Sequence, residues 1–264
     1  MRIARRRSRV DARARRPQTL AVPVPPTFDA RVVAARPLSP SVRELTFERV
    51  DGQPFAFDAG QWVNLVLPLP GGELRRAYSI ASPPDGSSRF ELAVTHVKAG
   101  PGSTYLHELP VGATLQAVGP QGFFTRPLAG AAPALFVGTG TGLTPLRSML
   151  RDALAQGDGT PMGLLFGVRH EAEILYRDEL EALAATHPGF RFEVTLSRPS
   201  DGWTGRAGYV QLHARRLYEE LALANRGSPH VFVCGLERMV GAVRDLFRKE
   251  MQLPRACVHS ERYD

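Results

Sequence analysis

The sequence is poor in cysteine and has no long hydrophobic run, and both features narrow its class. Its only cysteines are Cys234 and Cys257, too few for a disulfide framework or a four-thiolate iron–sulfur cluster. The longest apolar stretches, such as residues 63–69, are far shorter than the ~20 residues of a membrane-spanning helix. No apolar segment of the secretory type follows the arginines near the amino terminus. We therefore expect a cytoplasmic protein that binds no metal and does not contact a membrane.

Excess charge is absent from most of the chain. The 264 residues carry a net charge of +7, but residues 1–20 alone contain eight arginines and one acid, Asp11. The remainder is therefore neutral, which does not favour a nucleic acid as partner. Residues 1–26 contain several prolines and have no hydrophobic period, and such a segment is predicted to be a disordered arm. A merely solvated arm and an arm that binds polyanions or directs the protein to an organelle both fit this composition.

The composition of the chain, 43% hydrophobic and 22% charged residues, is typical of globular proteins. Its length suggests two domains or one large one, and the sequence pattern divides it into two. The first, residues 27–128, contains short β-rich segments separated by turn residues, which predict a six-stranded antiparallel barrel or a sandwich. The predicted strands are residues 28–36, 43–48, 62–67, 77–81, 90–96 and 114–118.

The pattern changes at residues 127–133, beyond which predicted strands alternate with helices. This alternation predicts a second domain, residues 132–264, with a doubly wound, five-stranded parallel sheet covered by helices on both faces. The predicted strands are residues 134–137, 163–168, 190–196, 231–234 and 256–259. The predicted helices are residues 177–185, 211–221 and 237–250, together with one that begins at Thr144 as its N-cap.

A glycine-rich loop joins the first parallel strand to this helix. It contains Gly138, Thr139, Gly140, Thr141, Gly142 and Thr144. Glycine lets the backbone approach a pyrophosphate closely, and the amino end of a helix offers N–H donors. The loop departs from G-x-G-x-x-G, and it is not a Walker motif because no lysine follows. A tight turn that binds nothing is the alternative interpretation.

A second candidate site lies in the predicted barrel, at residues 75–82. An arginine suits a pyrophosphate, a tyrosine offers a flat stacking surface, and a serine hydroxyl can bond a heteroaromatic ring. An ordinary strand with a basic start would look the same. The stretch Gly100–Thr104 precedes a short predicted helix, residues 105–109, and could form an anion-binding turn.

Five motifs in register then resemble one family. Arg76-Ala77-Tyr78-Ser79, followed by Ser82, is similar to the R-x-Y-S-x-x-S flavin signature of the ferredoxin–NADP reductase family. The loop at residues 138–145 resembles that family's nicotinamide-nucleotide loop. Residues 119–123, 233–235 and 261–263 resemble its G-P-x-G-x-F, C-G and terminal E-x-Y motifs. The order and spacing match from about residue 28 to the end.

The resemblance implies that the barrel binds FAD and that the second domain binds NADP(H). Tyr78 would lie against the flavin ring, and Ser79 would bond near its N5. The implied FAD-contacting residues are Arg76, Ala77, Tyr78, Ser79, Thr95, His96, Val97, Gly102, Ser103, Thr104 and Tyr263. The implied NADP-contacting residues are Gly138, Thr139, Gly140, Thr141, Gly142, Thr144, Ser197, Arg198, Arg206, Cys234 and Gly235.

Within these sets, the resemblance gives some residues more specific roles. Ser197 and Arg198, with Arg206, would hold the 2′-phosphate, although Arg198 also fits a solvated loop. Ser79, Cys234 and Glu261 would surround flavin N5 and nicotinamide C4 as the catalytic residues. From the sequence alone, Cys234 also fits a packed small side chain, and residues 261–263 also fit a frayed chain end. Because Asp264 follows Tyr263, whereas plant-type members end in tyrosine, stacking of Tyr263 on the flavin stays open.

The implied activity is exchange of a hydride with NADP(H) and of single electrons with a ferredoxin or flavodoxin. The partner would be held transiently by electrostatic attraction, and the enzyme would act as a monomer. Two alternatives are of the same class, namely a reductase component of an oxygenase and a reductase of free flavin or ferric complexes. A flavin- or nucleotide-binding sensor without turnover is an alternative of a different class.

Overall fold

The computed structural model describes residues 25–127, 132–225 and 227–263. Nearly all of the predicted arm, the domain junction at residues 128–131 and the terminal Asp264 lie outside the described residues. No helix in the described ranges is long and apolar enough to cross a membrane.

The amino-terminal domain is the predicted antiparallel barrel. Its sheet has the strand order β4-β3-β6-β1-β2-β5. The barrel closes where Ile80, just after β4, bridges to Leu92 of β5 and the Ala81 N–H donates to the Glu91 carbonyl at 2.8 Å. Alternate side chains, such as Phe90, Leu92 and Val94, fill its interior, which explains the period of two in the sequence. The elements are β1 Thr27–Ser39, β2 Val42–Arg49, β3 Trp62–Leu69, β4 Gly72–Ser79, β5 Arg89–Thr95, α1 Pro101–Glu108 and β6 Thr114–Gln121.

The carboxy-terminal domain is the predicted doubly wound sheet. Its strands are all parallel, in the order β10-β9-β8-β7-β11-β12. Helices α2 and α3 pack on one face and α4 and α5 on the other, so the central strands are apolar on both sides. The strands are β7 Ala134–Thr139, β8 Met162–Val168, β9 Phe190–Leu196, β10 Arg206–Ala207, β11 His230–Leu236 and β12 Val258–Tyr263. The helices are α2 Leu143–Ala155, α3 Arg177–Thr186, α4 Gln211–Asn225 and α5 Glu237–Asp245.

Five local predictions for this domain were wrong. Helix α4 continues four residues beyond its predicted end, and helix α5 ends at Asp245, where a π-helical turn Leu246–Glu250 takes the place of the predicted α-helix. The sheet has six strands rather than five, because the two-residue edge strand β10 is too short to show a pattern. Helix α2 begins at Leu143 with Gly142 as its N-cap, because a 3₁₀ turn at Gly140–Gly142 starts the winding before Thr144. Strand β12 begins two residues later than predicted and continues through Tyr263, so the terminal motif is strand rather than frayed chain.

Candidate functional site

The carboxyl end of β4 and strand β12 face each other across the boundary between the domains. Ser79, the last residue of β4, donates its hydroxyl hydrogen to Glu261 Oε1 at 3.1 Å. Two candidate catalytic residues that are distant in sequence are therefore in direct contact. They line a cavity of about 370 Å³. The lining residues are Trp62, Ala77, Ser79, Glu261, Arg262 and Tyr263.

The third candidate catalytic residue, Cys234, is fully buried near the carboxyl end of β11. It is adjacent in register to Glu261 on β12 and to Gly138 on β7. Burial raises the pKa of the Cys234 thiol well above its usual value, so this thiol stays protonated. Burial also raises the pKa of the Glu261 carboxyl, and the hydrogen bond from Ser79 opposes that shift. The site thus contains the neutral thiol of Cys234 and the carboxyl of Glu261, which accepts a hydrogen bond from the Ser79 hydroxyl.

Tyr263 lies on the nucleotide-loop side of the cavity. Its hydroxyl is 3.3 Å from the Thr144 hydroxyl, and its ring packs against the core cluster that contains Cys234. Burial raises the pKa of the Tyr263 phenol well above its usual value, so the side chain stays neutral. Tyr263 is therefore held between the first turn of α2, which contains Thr144, and the end of β11, which contains Cys234.

The glycine-rich loop packs directly on the end of β11. A Cβ on Gly142 would lie 2.3 Å from the Cys234 carbonyl oxygen, and one on Gly235 would lie 2.3 Å from the Thr139 hydroxyl. That hydroxyl is buried and has no hydrogen-bond partner among the described residues. The close backbone approach, the amino end of α2 and this free hydroxyl together fit a bound nucleotide phosphate.

The barrel and the glycine-rich loop are also in direct contact. The hydroxyls of Thr95, at the end of β5, and Thr141, in the loop, are 3.2 Å apart. The two residues that follow Thr95 are fixed by backbone bonds: the N–H of His96 donates to the Ser41 carbonyl at 2.7 Å, and that of Val97 donates to the Ser103 hydroxyl at 3.0 Å. Thr95 therefore lies in contact with the nucleotide loop as well as at the edge of the barrel.

Arg76 lies beside the amino end of α1. Its Cγ would be 3.5 Å from a Cβ on Gly102, and no acidic partner is found for its guanidinium within the described ranges. The Thr104 N–H bonds the Gly100 carbonyl at 3.0 Å, which leaves the N–H groups of Gly102 and Ser103 as open first-turn donors. An unpaired cation beside open donors fits the pyrophosphate of FAD.

Tyr78 lies on β4 two residues after Arg76, so both side chains are on the same face of the strand. It packs partly against the barrel core, and burial raises the pKa of Tyr78 to about 12. Its ring is therefore neutral at physiological pH, next in sequence to the serine that bonds Glu261.

The predicted phosphate-binding arginines lie in different surroundings. Ser197 and Arg198 follow β9 at the carboxyl edge of the sheet, where the Arg198 backbone is fixed by a bond to Arg169 at 2.9 Å and its side chain is exposed. Arg206 instead donates to Glu193 at 2.5 Å, and Arg216 shares that carboxylate. The charge of Arg206 is thus already compensated, whereas Arg198 faces solvent.

Two residues at the site were missed in the sequence. Tyr209 is 66% exposed, and the preceding Gly208 is bonded to both Leu196 and Thr195 at the end of β9. An aromatic ring there offers a stacking surface, but a single loop tyrosine gives no periodic signal. Arg147 is buried on the apolar face of α2, and a charge within that otherwise apolar stripe was a signal that could have identified it.

Comparisons with known proteins agree with this geometry. Residues 29–125 match the family described as oxidoreductase FAD-binding domain, and residues 136–245 match the oxidoreductase NAD-binding domain. The chain is 63% identical over 238 residues to Ferredoxin–NADP reductase B of Sorangium cellulosum (strain So ce56), covering 90% of this chain and 98% of that protein.

More distant relatives include a phenol hydroxylase protein and a cytochrome P450 reductase. Phenol hydroxylase P5 protein of Acinetobacter pittii (strain PHEA-2) is 31% identical over 240 residues, which is 89% of this chain but 65% of that protein. The crystal structure of the Amycolatopsis cytochrome P450 reductase GcoB superposes with a TM-score of 0.77 at 30% identity, covering 90% of this chain and 70% of that one.

Proposed function

Because the chain belongs to the ferredoxin–NADP reductase family of FAD- and NAD(P)-dependent oxidoreductases, we propose that it passes electrons from NADPH to a ferredoxin or flavodoxin. The observation that carries the proposal is the Ser79–Glu261 hydrogen bond beside Cys234. Ser79 and Glu261 line one cavity between the FAD and NAD(P) domains, and Cys234 is the neighbour of Glu261 in the sheet register, which supports a role of all three in hydride transfer.

Bound FAD supplies hydride acceptance from the nicotinamide and release of single electrons. The chain positions and shields that chemistry. Arg76 and the first turn of α1 hold the FAD pyrophosphate, while Ser79 and Tyr78 orient the flavin ring. The glycine-rich loop holds the nicotinamide nucleotide, and the neutral Cys234 thiol packs beside it without charge. Glu261 fixes the Ser79 hydroxyl through their hydrogen bond.

Tyr263 and Arg198 complete the proposed nucleotide site. Tyr263 occupies the space next to Thr144, so we expect its ring to move when the nicotinamide enters. Arg198 is the proposed ligand of the 2′-phosphate, with Arg206 contributing only if it leaves Glu193. Tyr209 offers its exposed ring to the adenine.

The partner, assembly and compartment are part of the same proposal. A ferredoxin or flavodoxin is supported by the name of the relative that shares 63% identity. We expect transient electrostatic contact with this carrier, a monomeric enzyme and a cytoplasmic location, the last in keeping with two unpaired cysteines.

A second candidate acceptor is an oxygenase, since the relatives include phenol hydroxylase P5 protein and a cytochrome P450 reductase. The two cysteines of this sequence cannot form a four-thiolate cluster. An oxygenase would therefore take electrons from the flavin directly or through a separate carrier.

Anaerobic stopped-flow reduction of the FAD-loaded protein by NADPH and NADH tests the proposal, followed by reoxidation with a ferredoxin, a flavodoxin or an oxygenase. Ser79→Ala and Cys234→Ala should keep FAD but slow its reduction by about tenfold to a thousandfold, because small misplacements of reacting groups are costly. Cys257→Ala is the matched control, since Cys257 lies beyond the opposite end of β12. An FAD that no nicotinamide nucleotide reduces would indicate a sensor module instead.

A further inference from the structure

Arg147 in α2 contacts both domains, and its side chain is 2% exposed. Within its own domain, Arg147 donates two hydrogen bonds to Glu179, at 2.9 and 2.6 Å, and lies 4.0 Å above the Tyr176 ring. Across the boundary, it donates to the Ala81 carbonyl at 2.8 Å and to Glu91 at 2.7 Å. One planar guanidinium therefore holds groups from both domains.

These contacts lie close to both proposed cofactor sites. Ala81 follows Ser79 by two residues, and the next carbonyl, that of Ser82, accepts a 2.7 Å hydrogen bond from the Ser148 hydroxyl. On the other side, α2 starts at the glycine-rich loop and carries Thr144 in its first turn. A shift of Arg147 relative to the barrel would move the nucleotide loop relative to Ser79.

Stability alone does not explain this arrangement. Burying a cation is costly, and apolar side chains of similar volume are often as stabilising as a buried ion pair. A rigid guanidinium fork, in contrast, fixes the direction and distance of several acceptors at once. The four hydrogen bonds of Arg147 thus define one relative placement of the two domains.

We propose that Arg147 is a positioning residue for hydride transfer: through Ala81 and Glu91 it fixes the spacing between the flavin and nicotinamide sites. The inference rests on the proposed function. Its physical basis is that a misplacement of ~1 Å between reacting groups can slow a reaction about a hundredfold.

Glu91→Gln and Glu179→Gln form the decisive pair of variants. Both carboxylates accept a hydrogen bond from Arg147, at 2.7 and 2.6 Å, and their side chains are 27% and 31% exposed. Glu91 belongs to the barrel, whereas Glu179 belongs to the domain that contains Arg147. A purely stabilising role predicts similar losses of melting temperature and no loss of reduction rate in either variant.

The positioning role predicts a different outcome. At saturating NADPH, Glu91→Gln should slow flavin reduction by about tenfold to a hundredfold, while Glu179→Gln stays close to wild type. The Kd of NADP⁺ from flavin difference spectra should not change in either variant. Hydrogen–deuterium exchange of residues 80–93, measured without nucleotide, should increase in Glu91→Gln only.

Two further variants separate charge from geometry. Arg147→Lys keeps the charge but lacks the planar guanidinium. Its rate of flavin reduction should therefore be below that of wild type, as in Glu91→Gln. Arg151→Gln is the matched control one turn along α2, because Arg151 is 33% exposed and lies 4.0 and 3.5 Å from the same two carboxylates. Its reduction rate should equal that of wild type.

A wild-type reduction rate in Glu91→Gln, or equal slowing in Glu91→Gln and Glu179→Gln, would overturn the positioning role while leaving the proposed function intact. A wild-type protein whose FAD is not reduced by any nicotinamide nucleotide would overturn both. Should Arg147→Lys fail to fold, the two glutamate variants still decide the question.

Discussion

At the scale of single residues, the Glu261 carboxyl links pH to stability. Burial raises its folded-state pKa above the ordinary 4.5, so folding favours the protonated form. Its contribution to the free energy of unfolding is fully present below about pH 4.5 and is lost as pH rises through the folded pKa. Glu261→Gln keeps an oxygen that can accept the Ser79 hydrogen bond. Because glutamine does not ionise, the variant does not lose this stability as the pH rises.

We therefore expect Glu261→Gln to melt at a higher temperature than wild type at about pH 8, with the gain disappearing towards about pH 4. Thermal unfolding of the FAD-loaded proteins across this range measures it. Glu237→Gln is the control, because the Glu237 side chain is 65% exposed and its replacement should give no gain at the higher pH. A constant difference between Glu261→Gln and wild type would contradict the prediction.

Arg198 carries the prediction for nucleotide choice. Arg198→Ala should raise the KM for NADPH about tenfold to a hundredfold more than the KM for NADH, since a hydrogen bond to a charged group contributes about 1.5–3 kcal/mol. Arg206→Ala should discriminate less, because Glu193 already compensates the charge of Arg206. Steady-state kinetics with both nucleotides measures the difference. Equal effects of Arg198→Ala on NADPH and NADH would remove the 2′-phosphate role.

At the scale of elements, the junction between β7 and α2 depends on Gly142. A methyl group there would meet the backbone of Cys234 at 2.3 Å, and overpacking of this kind costs about 1–3 kcal/mol. Gly142→Ala should lower the melting temperature and weaken nucleotide binding while FAD stays bound.

Gly241→Ala is the matched control for this substitution, because Gly241 is exposed in α5 and has open space around it. Replacing a helical glycine by alanine stabilises by about 0.5–1 kcal/mol where no clash occurs. Calorimetry and nucleotide titration compare the two variants. Normal nucleotide binding by Gly142→Ala would show that the loop tolerates displacement.

The elements also show what a sequence can predict. Strands such as β5 and β9 were predicted to within about two residues because each is a β-rich segment with turn residues on both sides. Strand β10 has two residues and therefore no period to detect. The predicted start of α2 was wrong because the helix begins with a 3₁₀ turn rather than with a side-chain cap. Short and irregular winding has no compositional signature.

At the scale of the whole molecule, the candidate site depends on contacts between domains. Ser79 and Glu261 are 182 residues apart, and no local sequence pattern relates them. Only the family resemblance predicted that they lie at the same site. Arg147 shows the opposite case, since no motif named it and its role emerges only from partners on both sides of the boundary. Local pattern thus predicted each domain, while their relative placement required the structure.

The charge distribution supports a last prediction for the whole molecule. Residues 1–20 carry the entire net charge of +7, so their deletion should leave the melting temperature and the reduction of a small acceptor dye unchanged. With an acidic protein carrier, the KM should rise, and this difference should fade above ~0.15 M salt because exposed charges are then screened. A full-length variant with its eight amino-terminal arginines replaced by glutamine should behave like the truncated protein if charge, rather than chain length, is responsible. Failure of the truncated protein to fold or to retain FAD would show that the arm is part of the folded structure.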